Sequence, residues 1–320
     1  MKPSCSIVIR AYNEEKHIGR LLTGISQQTL KNVQVILVDS GSKDATVAIA
    51  RRYPVQVVSI RPEEFTFGRS LNLGIAQAEA DVVVIASAHV FPVYPDWLEK
   101  ITAPFADEQV ALTYGKQRGA ETTKFSEHQI FHHWFPEQSQ ARQAHPFCNN
   151  ANSAIRRSVW EKNGYDELIP ALEDLSWARW AHSQGYHIAY AAEAEVVHIH
   201  NETWRSVFNR YRREGMAFKL IYPEATFSLF DLLRLFLGNV ANDWRYARQQ
   251  KCLKTEWNSV LHFRWNQFWG TYRGYHQGGP LTWQLKQAFY YPRNLDFSGQ
   301  HSGRSVQPIA YAETQEPEKQ

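Results

Sequence analysis

The chain has 320 residues, of which 43% are hydrophobic and 21% are charged, so it can fold around an apolar core and is not an intrinsically disordered chain. Its three cysteines form no CxxC pair, which argues against a disulfide scaffold, a zinc ribbon and a thioredoxin-type site. No uncharged apolar run reaches the ~18 residues of a spanning helix, and no signal-peptide core follows Met1. These features predict a cytoplasmic protein in a reducing compartment.

The first 90 residues predict an α/β fold. Short β-branched runs alternate there with stretches whose apolar residues recur at helical spacing. The β-branched runs are residues 6–9, 33–38, 55–60 and 82–85. This alternation predicts βαβ units, and therefore a mostly parallel, Rossmann-like sheet with helices on both faces.

Later segments divide the chain into regions. Residues 107–147 are rich in glycine, histidine and polar residues, which indicates a long loop over the site rather than a core element. A predicted helix at 172–182 and a predicted strand at 188–197 complete a domain that we place at residues 1–204. We expect residues 205–298 to form a helical, basic and aromatic-rich region. The polar residues 299–320 predict a disordered tail.

Polar loops follow the first two predicted strands. Asp39 directly follows the run 33–38, so its carboxylate lies at a carboxyl strand end, where open α/β sheets bind ligands. This carboxylate can accept hydrogen bonds from a base or a ribose, or it can cap the next helix. Tyr12 and Glu14, after the first strand, add a ring that can stack on a base and a further polar group. Together the two loops indicate a nucleotide site.

These loops resemble the opening motifs of a known family. Ile9-Arg10-Ala11-Tyr12-Asn13-Glu14-Glu15 and Val38-Asp39-Ser40-Gly41-Ser42-Lys43-Asp44 are similar to the first two motifs of the family 2 glycosyltransferases. Further segments match in order and spacing, at residues 69–76, 150–157, 164–167 and 173–174. The resemblance implies a GT-A fold and the transfer of a sugar from a nucleotide-sugar donor.

The resemblance also implies roles for individual residues. Asp174 is the expected catalytic base and Glu173 its support, although acids in a first helical turn also simply favour the helix dipole. Donor contacts are expected from Tyr12, Glu14, Asp39, Arg69, Asn72, Ser87, His89, Arg210 and Arg213. Acceptor contacts are expected from Asn150, Asn152 and Trp177.

The sequence departs from the family at the metal-binding motif. In register, the family's Asp-x-Asp falls on Ser87-Ala88-His89, which lacks the carboxylates that Mg²⁺ prefers. Imidazole suits softer ions such as Mn²⁺ or Zn²⁺, so His89, His198 and His200 are candidate ligands for a divalent cation, Mn²⁺ or Mg²⁺. The alternative is that no metal is bound and that arginines neutralise the leaving diphosphate.

Residues 205–276 concentrate the positive charge of the chain. They contain 12 lysines and arginines against five acidic residues, a net charge of +7. The apolar run 227–237 and the pair Trp265 and Trp269 indicate either a peripheral membrane contact or a helical subdomain that packs on the core. No motif of a nucleic-acid-binding protein accompanies the charge, so no nucleic-acid partner is expected.

The leading hypothesis is an inverting glycosyltransferase of cell-surface polysaccharide biosynthesis. It would move a hexosyl or deoxyhexosyl group from a nucleotide-sugar to a hydroxyl of a glycan or lipid-linked acceptor, at the inner face of the cell membrane. The Ser-Ala-His departure is similar to that of rhamnosyltransferase-like relatives with donors such as dTDP-rhamnose. The competing hypothesis is a non-catalytic nucleotide- or glycan-binding relative. An oxidoreductase is disfavoured because no GxGxxG follows the first strand.

Overall fold

An eight-stranded sheet forms the centre of the molecule. The computed structural model of the chain describes residues 2–277 and 306–311. Its strands are β1 (Cys5–Ala11), β2 (Val33–Asp39), β3 (Val55–Ser59), β4 (Val82–Ser87), β5 (Val90–Pro92), β6 (Val110–Gly119), β7 (Asn152–Arg156) and β8 (His187–His198). Its α-helices are α1 (Ile18–Ser26), α2 (Thr46–Ala50), α3 (Phe67–Ala76), α4 (Trp97–Thr102), α5 (Phe125–Trp134), α6 (Arg157–Trp160), α7 (Glu173–Ser183), α8 (Trp204–Ile221), α9 (Leu229–Gln249) and α10 (Leu253–Tyr275).

The sheet is mixed, with the strand order β3-β2-β1-β4-β7-β6-β8-β5. Strands β3, β2, β1 and β4 are parallel neighbours, and β6 is parallel to β8. The three remaining pairs, which involve β7 or β5, are antiparallel. The prediction of an α/β fold with a mostly parallel sheet is therefore confirmed. The carboxyl ends of β1, β2, β4, β6 and β8 consequently meet at one edge of the sheet.

Helices cover both faces of the sheet, as the sequence predicts. Leu21 of α1 and Trp97 of α4 are buried against one face. Leu71 of α3 and Trp177 of α7 are buried against the other. Burying one large apolar side chain stabilises a fold by about 1.5–3 kcal/mol, so these two layers explain why the strands read as nearly continuous apolar runs.

The prediction of a long loop at residues 107–147 is wrong for two segments. One of them is β6, which lies between β7 and β8, and the other is α5. The glycine at position 115 is a packing requirement rather than a loop signal, because a Cβ there would collide with the carbonyl oxygen of Ala194. The polar α5 is anchored by one buried apolar residue, Phe131, in the core under the sheet.

Helices α8, α9 and α10 form the C-terminal helical region. Helices α8 and α10 pack backbone to backbone, because glycines face the partner helix. A Cβ at Gly270 would lie 2.6 Å from the carbonyl oxygen of Phe208, and one at Gly274 would collide with that of Arg212. Among residues 2–277, no helix combines the length and the apolar character that a membrane crossing needs.

A buried ion pair ties this region together. Arg264 of α10 donates from Nε to Oδ2 of Asp243 in α9 over 2.8 Å, and both side chains are almost fully buried. The Nη2 atom of Arg264 also lies 3.4 Å from the carbonyl oxygen of Ser126 in α5. The helical region is therefore joined to the sheet domain through α5.

Residues 306–311 lie beside β5. Tyr311 donates its hydroxyl hydrogen to the carbonyl oxygen of Pro92 over 2.7 Å, and the Ile309 amide donates to the carbonyl oxygen of Val93 over 3.1 Å. The predicted disordered tail 299–320 otherwise lies outside the described residues, as does part 278–298 of the predicted helical region. The disordered tail therefore stays a prediction, with these two hydrogen bonds beside β5 in its described part.

Candidate active site

Two loops lock together at the carboxyl edge of the sheet. In the loop after β1, Asn13 accepts a hydrogen bond at Oδ1 from the Lys43 amide over 2.8 Å. In the same loop, Glu15 accepts one at Oε2 from the Ala45 amide over 2.9 Å. Asn13 has a φ of 53°, a left-handed conformation that asparagine tolerates better than most residues. The loops after β1 and β2 thus form one rigid wall of the cleft.

Asp39 orders the turn that follows β2. Its carboxylate accepts hydrogen bonds from the amides of Gly41 and Ser42 at 3.2–3.3 Å. Gly41 has a φ of +88°, which favours glycine. This geometry matches the turn interpretation of Asp39, and its contact with a ribose stays a prediction. Tyr12, half-buried, stands at the start of the neighbouring loop.

The two acids at the start of α7 are buried side by side. Glu173 is 5% exposed and Asp174 is 9% exposed. Asp174 accepts hydrogen bonds from the amides of Asn150 and Leu175, over 3.0 and 2.8 Å. Glu173 forms an ion pair with Arg10 of β1, with 2.9 Å between Oε1 and Nη1. Residues of β1, of the segment before β7 and of α7 itself therefore hold the acid pair in place.

The environment of Asp174 favours the protonated form of its carboxyl. Burial and the neighbouring charge of Glu173 raise the pKa of Asp174 from its ordinary value of 3.8 to about 7, against the hydrogen bonds from Asn150 and Leu175 and the charge of Arg10. A carboxyl with a pKa close to neutrality can accept a proton and release it again at physiological pH.

Arg10 is a site residue that the sequence predictions missed. Its guanidinium carbon lies 4.8 Å from the centre of the Phe67 ring, and that of Arg213 in α8 lies 4.9 Å from the same ring. Arg10 also pairs in register with Ser87 at the end of β4. A charged residue in a strand that is otherwise apolar was the available signal. Arg213 and Ser87, both predicted donor contacts, are thus brought to the acid pair.

Three histidines converge at the same edge of the sheet. Each ring bonds an oxygen through Nδ1: His89 with Glu14 at 2.7 Å, His198 with Gln117 at 2.8 Å and His200 with Glu127 at 2.7 Å. One ring nitrogen from each lies within 4.8 Å of those of the other two, and the Nε2 atoms of His198 and His200 are 3.0 Å apart. Two nitrogen lone pairs at that distance repel unless a proton or a cation separates them.

The histidines differ in their affinity for protons. Burial, together with the neighbouring His200 and His89, lowers the pKa of His198 well below its ordinary value, so this ring is neutral. Burial also acts to lower the pKa of His89, but the charge and hydrogen bond of Glu14 outweigh it and raise that pKa. The cluster thus combines a neutral ring with one that holds a proton readily.

Glu127 and Glu202 back this cluster, and sequence reasoning missed both. Arg210 contacts both carboxylates, Glu127 at 2.6 Å through Nη2 and Glu202 at 2.9 Å through Nε. Burial acts to raise the pKa of Glu127, but Arg210 and His200 lower it to about 2. The charge of Arg210 is therefore paired with two carboxylates, and its contact with the donor stays a prediction. Glu127 lies on α5, inside the segment predicted as a loop.

All three predicted acceptor contacts are corrected by the structure. Asn152 is fully buried and bonds Trp97 Nε1 over 2.9 Å and the carbonyl oxygen of Ala194 over 2.7 Å. Trp177 is buried in the core and donates to the carbonyl oxygen of Asn163. Asn150 is buried behind the acid pair, which it positions.

Asn72 has a similar structural role, and its contact with the donor stays a prediction. Its Oδ1 accepts from Trp160 Nε1 and from the Tyr165 amide, both over 2.9 Å. Its Nδ2 donates to the Tyr165 carbonyl oxygen and to Glu167. Both the oxygen and the nitrogen of the Asn72 amide therefore hold the segment before α7. Arg69 pairs with Glu167 at 3.3 Å and stays half-exposed, so its donor contact stays a prediction.

Comparisons with known proteins bear on this site. The family profile described as "Glycosyl transferase family 2" matches residues 6–164. The chain is 31% identical over 234 residues to the O-antigen chain rhamnosyltransferase WbaN of Salmonella anatum, which covers 67% of this chain and 72% of that protein. It is 29% identical over 223 residues to the O-antigen chain rhamnosyltransferase RfbN of Salmonella typhimurium, covering 66% and 71%.

A solved structure has the same fold. It is the mannosyltransferase PcManGT from Pyrobaculum calidifontis, in complex with GDP-Man and Mn²⁺. The TM-score is 0.59 at 17% sequence identity, and the match covers 86% of this chain and 87% of that one. At this identity the similarity supports the fold, and it confirms the predicted GT-A architecture.

Asp174→Asn should stabilise the protein above pH 7. Native Asp174 keeps a proton up to a pKa of about 7, whereas the unfolded chain releases it near 3.8, so the parent loses stability as the pH rises between these values. One pKa unit corresponds to about 1.4 kcal/mol, and we expect a gain of a few kcal/mol at pH 8 that shrinks towards pH 4. Calorimetric melting at both pH values measures it.

Asp107→Asn is the matched control. A backbone hydrogen bond from Gln109 contributes most to lowering the pKa of Asp107, so its removal should give no gain at pH 8. An Asp174→Asn variant that is no more stable than the parent at pH 8 would contradict the assignment.

Proposed function

Because the chain belongs to glycosyltransferase family 2, and is therefore a glycosyltransferase, we propose that it is an inverting enzyme whose catalytic base is Asp174. The observation that carries this proposal is the buried carboxyl of Asp174, held by the Asn150 amide and given a pKa of about 7. The predictions of the family and of the enzyme class are confirmed. The role of Asp174 as the catalytic base is our proposal.

The proposed reaction is a single displacement. The acceptor hydroxyl oxygen attacks the anomeric carbon of the donor while the bond from that carbon to the diphosphate oxygen breaks. The hydroxyl proton passes to Asp174, and the diphosphate leaves with the electron pair. Arg10 and Glu173 keep the base in place. Because Asp174 must be ionised to accept the hydroxyl proton, the rate should rise with pH as Asp174 loses its proton near pH 7.

The proposed donor is a nucleotide-linked deoxyhexose, such as dTDP-rhamnose. The two Salmonella relatives are O-antigen chain rhamnosyltransferases, which supports both this sugar and a role in polysaccharide biosynthesis. The interlocked loops with Tyr12 and Asp39 form the wall on which a nucleoside would lie. Arg213, beside Arg10 at the Phe67 ring, supplies positive charge for the diphosphate.

We also propose a divalent cation at His89, His198 and His200. The donor set fits such a group, because every Nδ1 is bonded to an oxygen and the convergent nitrogens are left with lone pairs. A carboxylate behind the imidazole is the usual second partner of a metal-binding histidine. Three imidazoles favour Mn²⁺ over Mg²⁺. Such an ion would neutralise the charge of the leaving diphosphate when bound.

The proposed acceptor is lipid-linked, and the helical region would bring the enzyme to the inner face of the membrane. Its exposed side chains include an apolar patch, which we define as Leu229, Phe230, Leu233 and Leu237 of α9 with Trp265 of α10. Phe230 is 72% exposed. Large exposed apolar surfaces mark interaction sites. Arg234 lies within the patch and is mostly exposed, a composition that fits an anionic lipid surface.

Asp174→Asn should reduce turnover by about 10²–10⁴-fold, the usual loss when a general base is removed. The measurement is hydrolysis of a panel of dTDP-, UDP- and GDP-sugars that includes dTDP-rhamnose, with nucleotide affinity followed by calorimetry. Affinity should stay within a few-fold of the parent.

Asp107→Asn, at the opposite edge of the sheet, should retain full activity. Turnover by Asp174→Asn close to the parent value would remove Asp174 from the mechanism, and no hydrolysis by the parent would favour a non-catalytic relative.

Mn²⁺ should raise the melting temperature of the parent more than Mg²⁺ does. An ion held at 100 times its Kd stabilises a protein by about 2.7 kcal/mol. His198→Ala should abolish the shift, whereas His262→Ala, which alters an exposed histidine on α10, should leave it unchanged. The shift should decline as the pH falls, because protons compete for the imidazoles. Equal shifts for parent and His198→Ala would contradict the site.

The parent should co-sediment with vesicles of phosphatidylglycerol more than with vesicles of phosphatidylcholine. Each cation near an anionic surface contributes about 1 kcal/mol before screening, so binding should weaken in high salt. The triple variant Phe230→Ser, Leu233→Ser, Leu237→Ser should lose most binding and stay folded, because these side chains are already exposed. Gln249→Ser with Gln250→Ser, at the exposed end of α9, should bind like the parent. No salt-sensitive binding by the parent would contradict the membrane contact.

A further inference from the structure

Trp134 is an unusual surface residue in the sheet domain. Among the described residues up to position 204, only Trp134 and Leu168 are large apolar side chains that are exposed, by 40% and 87%. Leu168 lies in the segment that leads into the acid pair. Trp134 ends α5, whose other end carries Glu127. Exposed aromatic surface is typical of a ligand contact rather than of folding.

The indole of Trp134 belongs to a rigid aromatic platform, which we define as Trp134 and Phe147. The two rings stack with their centres 4.2 Å apart and their planes inclined by 20°. Phe147 is held in turn by Gln143, which donates to the Phe147 carbonyl oxygen over 2.7 Å. Gln143 is buried and accepts a hydrogen bond from the Tyr114 hydroxyl. The platform is therefore fixed before any ligand arrives.

A short segment of chain joins the platform to the proposed base. The Cα atoms of Phe147 and Asn150, three residues apart, are at most about 11 Å from each other. The Asn150 amide is 3.0 Å from Oδ2 of Asp174. The nucleotide loops after β1 and β2 lie beside the acid pair on the other arm of the sheet, beyond β4. The Phe147 ring centre lies 5.6 Å from that of Tyr114 in β6, so the platform stands on the other side of β7 from these loops.

Resting on the proposed transfer function, we infer that the platform is the subsite for a pyranose ring of the acceptor glycan. One face of a pyranose presents C–H groups, and the negative π face of an indole attracts them while apolar surface is buried. The exposed imidazoles of His133 and His145 flank the platform, with ring centres 5.0 Å from Trp134 and 6.4 Å from Phe147. They can exchange hydrogen bonds with hydroxyl groups at the rim of the sugar.

In this proposal the acceptor glycan has at least two sugar units. One rests on the platform, and the next presents the attacking hydroxyl to Asp174. Trp134 and Phe147 would therefore contact the acceptor in place of the buried side chains of Asn150, Asn152 and Trp177.

Saturation-transfer NMR tests the subsite directly. The probes are the methyl pyranosides of galactose, glucose, mannose, N-acetylglucosamine and rhamnose, and methyl β-lactoside and methyl β-maltoside as two-unit ligands. At least one probe should receive saturation from the parent, more strongly as a two-unit ligand. Trp134→Ala should weaken its binding at least about tenfold, which corresponds to about 1.4 kcal/mol. Trp134→Phe should retain part of the affinity.

Trp257→Ala is the matched control, since Trp257 is an exposed tryptophan on α10. It should bind the probes like the parent. Equal binding by parent and Trp134→Ala, or no saturation transfer to any probe from the parent, would overturn the proposal. Donor hydrolysis by the parent is measured in parallel. If the parent hydrolyses no donor while Trp134→Ala still loses the glycosides, the transfer function fails and the sugar subsite stands.

Discussion

Two adjacent carboxyls buried at the start of α7 set the requirements that the rest of the site meets. Neither acid is solvated by bulk water, and two ionised carboxylates side by side repel each other. The amino end of a helix offsets part of this cost, because its dipole favours negative charge. Arg10 neutralises Glu173 directly. Asp174 is left as the member of the pair that keeps a proton until the pH approaches 7. One constraint thus separates an acid paired with Arg10 from an acid whose pKa lies near neutrality.

Carboxylates stand behind the histidine cluster. Glu14 contacts His89 and Glu127 contacts His200, so this edge of the sheet keeps negative charge next to the imidazoles. A site built this way offers nitrogen rather than oxygen to a cation, while the summed charge of the surroundings stays favourable for one.

Local patterns were sufficient to predict the first half of the fold and the two polar loops. β-branched runs and turn residues such as Gly41 act within a few positions of themselves, so they can be read from the sequence. The direction of an amide side chain cannot, because Asn152 is committed to the core by Trp97 and Ala194, which are far away along the chain. β6 escaped prediction for the same reason, since Gly115 is required by a distant carbonyl group. Arg10 could have been identified from the sequence, because it is a single charged residue in an otherwise apolar strand.

The glycines between α8 and α10 have a mechanical consequence. Because the two backbones touch, neither helix can slide or rotate against the other without collision. α8 carries Arg210 and Arg213 into the cleft, and α10 carries one edge of the apolar patch. A tilt of α10 would therefore be passed on to Arg210 and Arg213. If the helical region binds a membrane as proposed, the orientation of the enzyme on that membrane would be coupled to the shape of its active site.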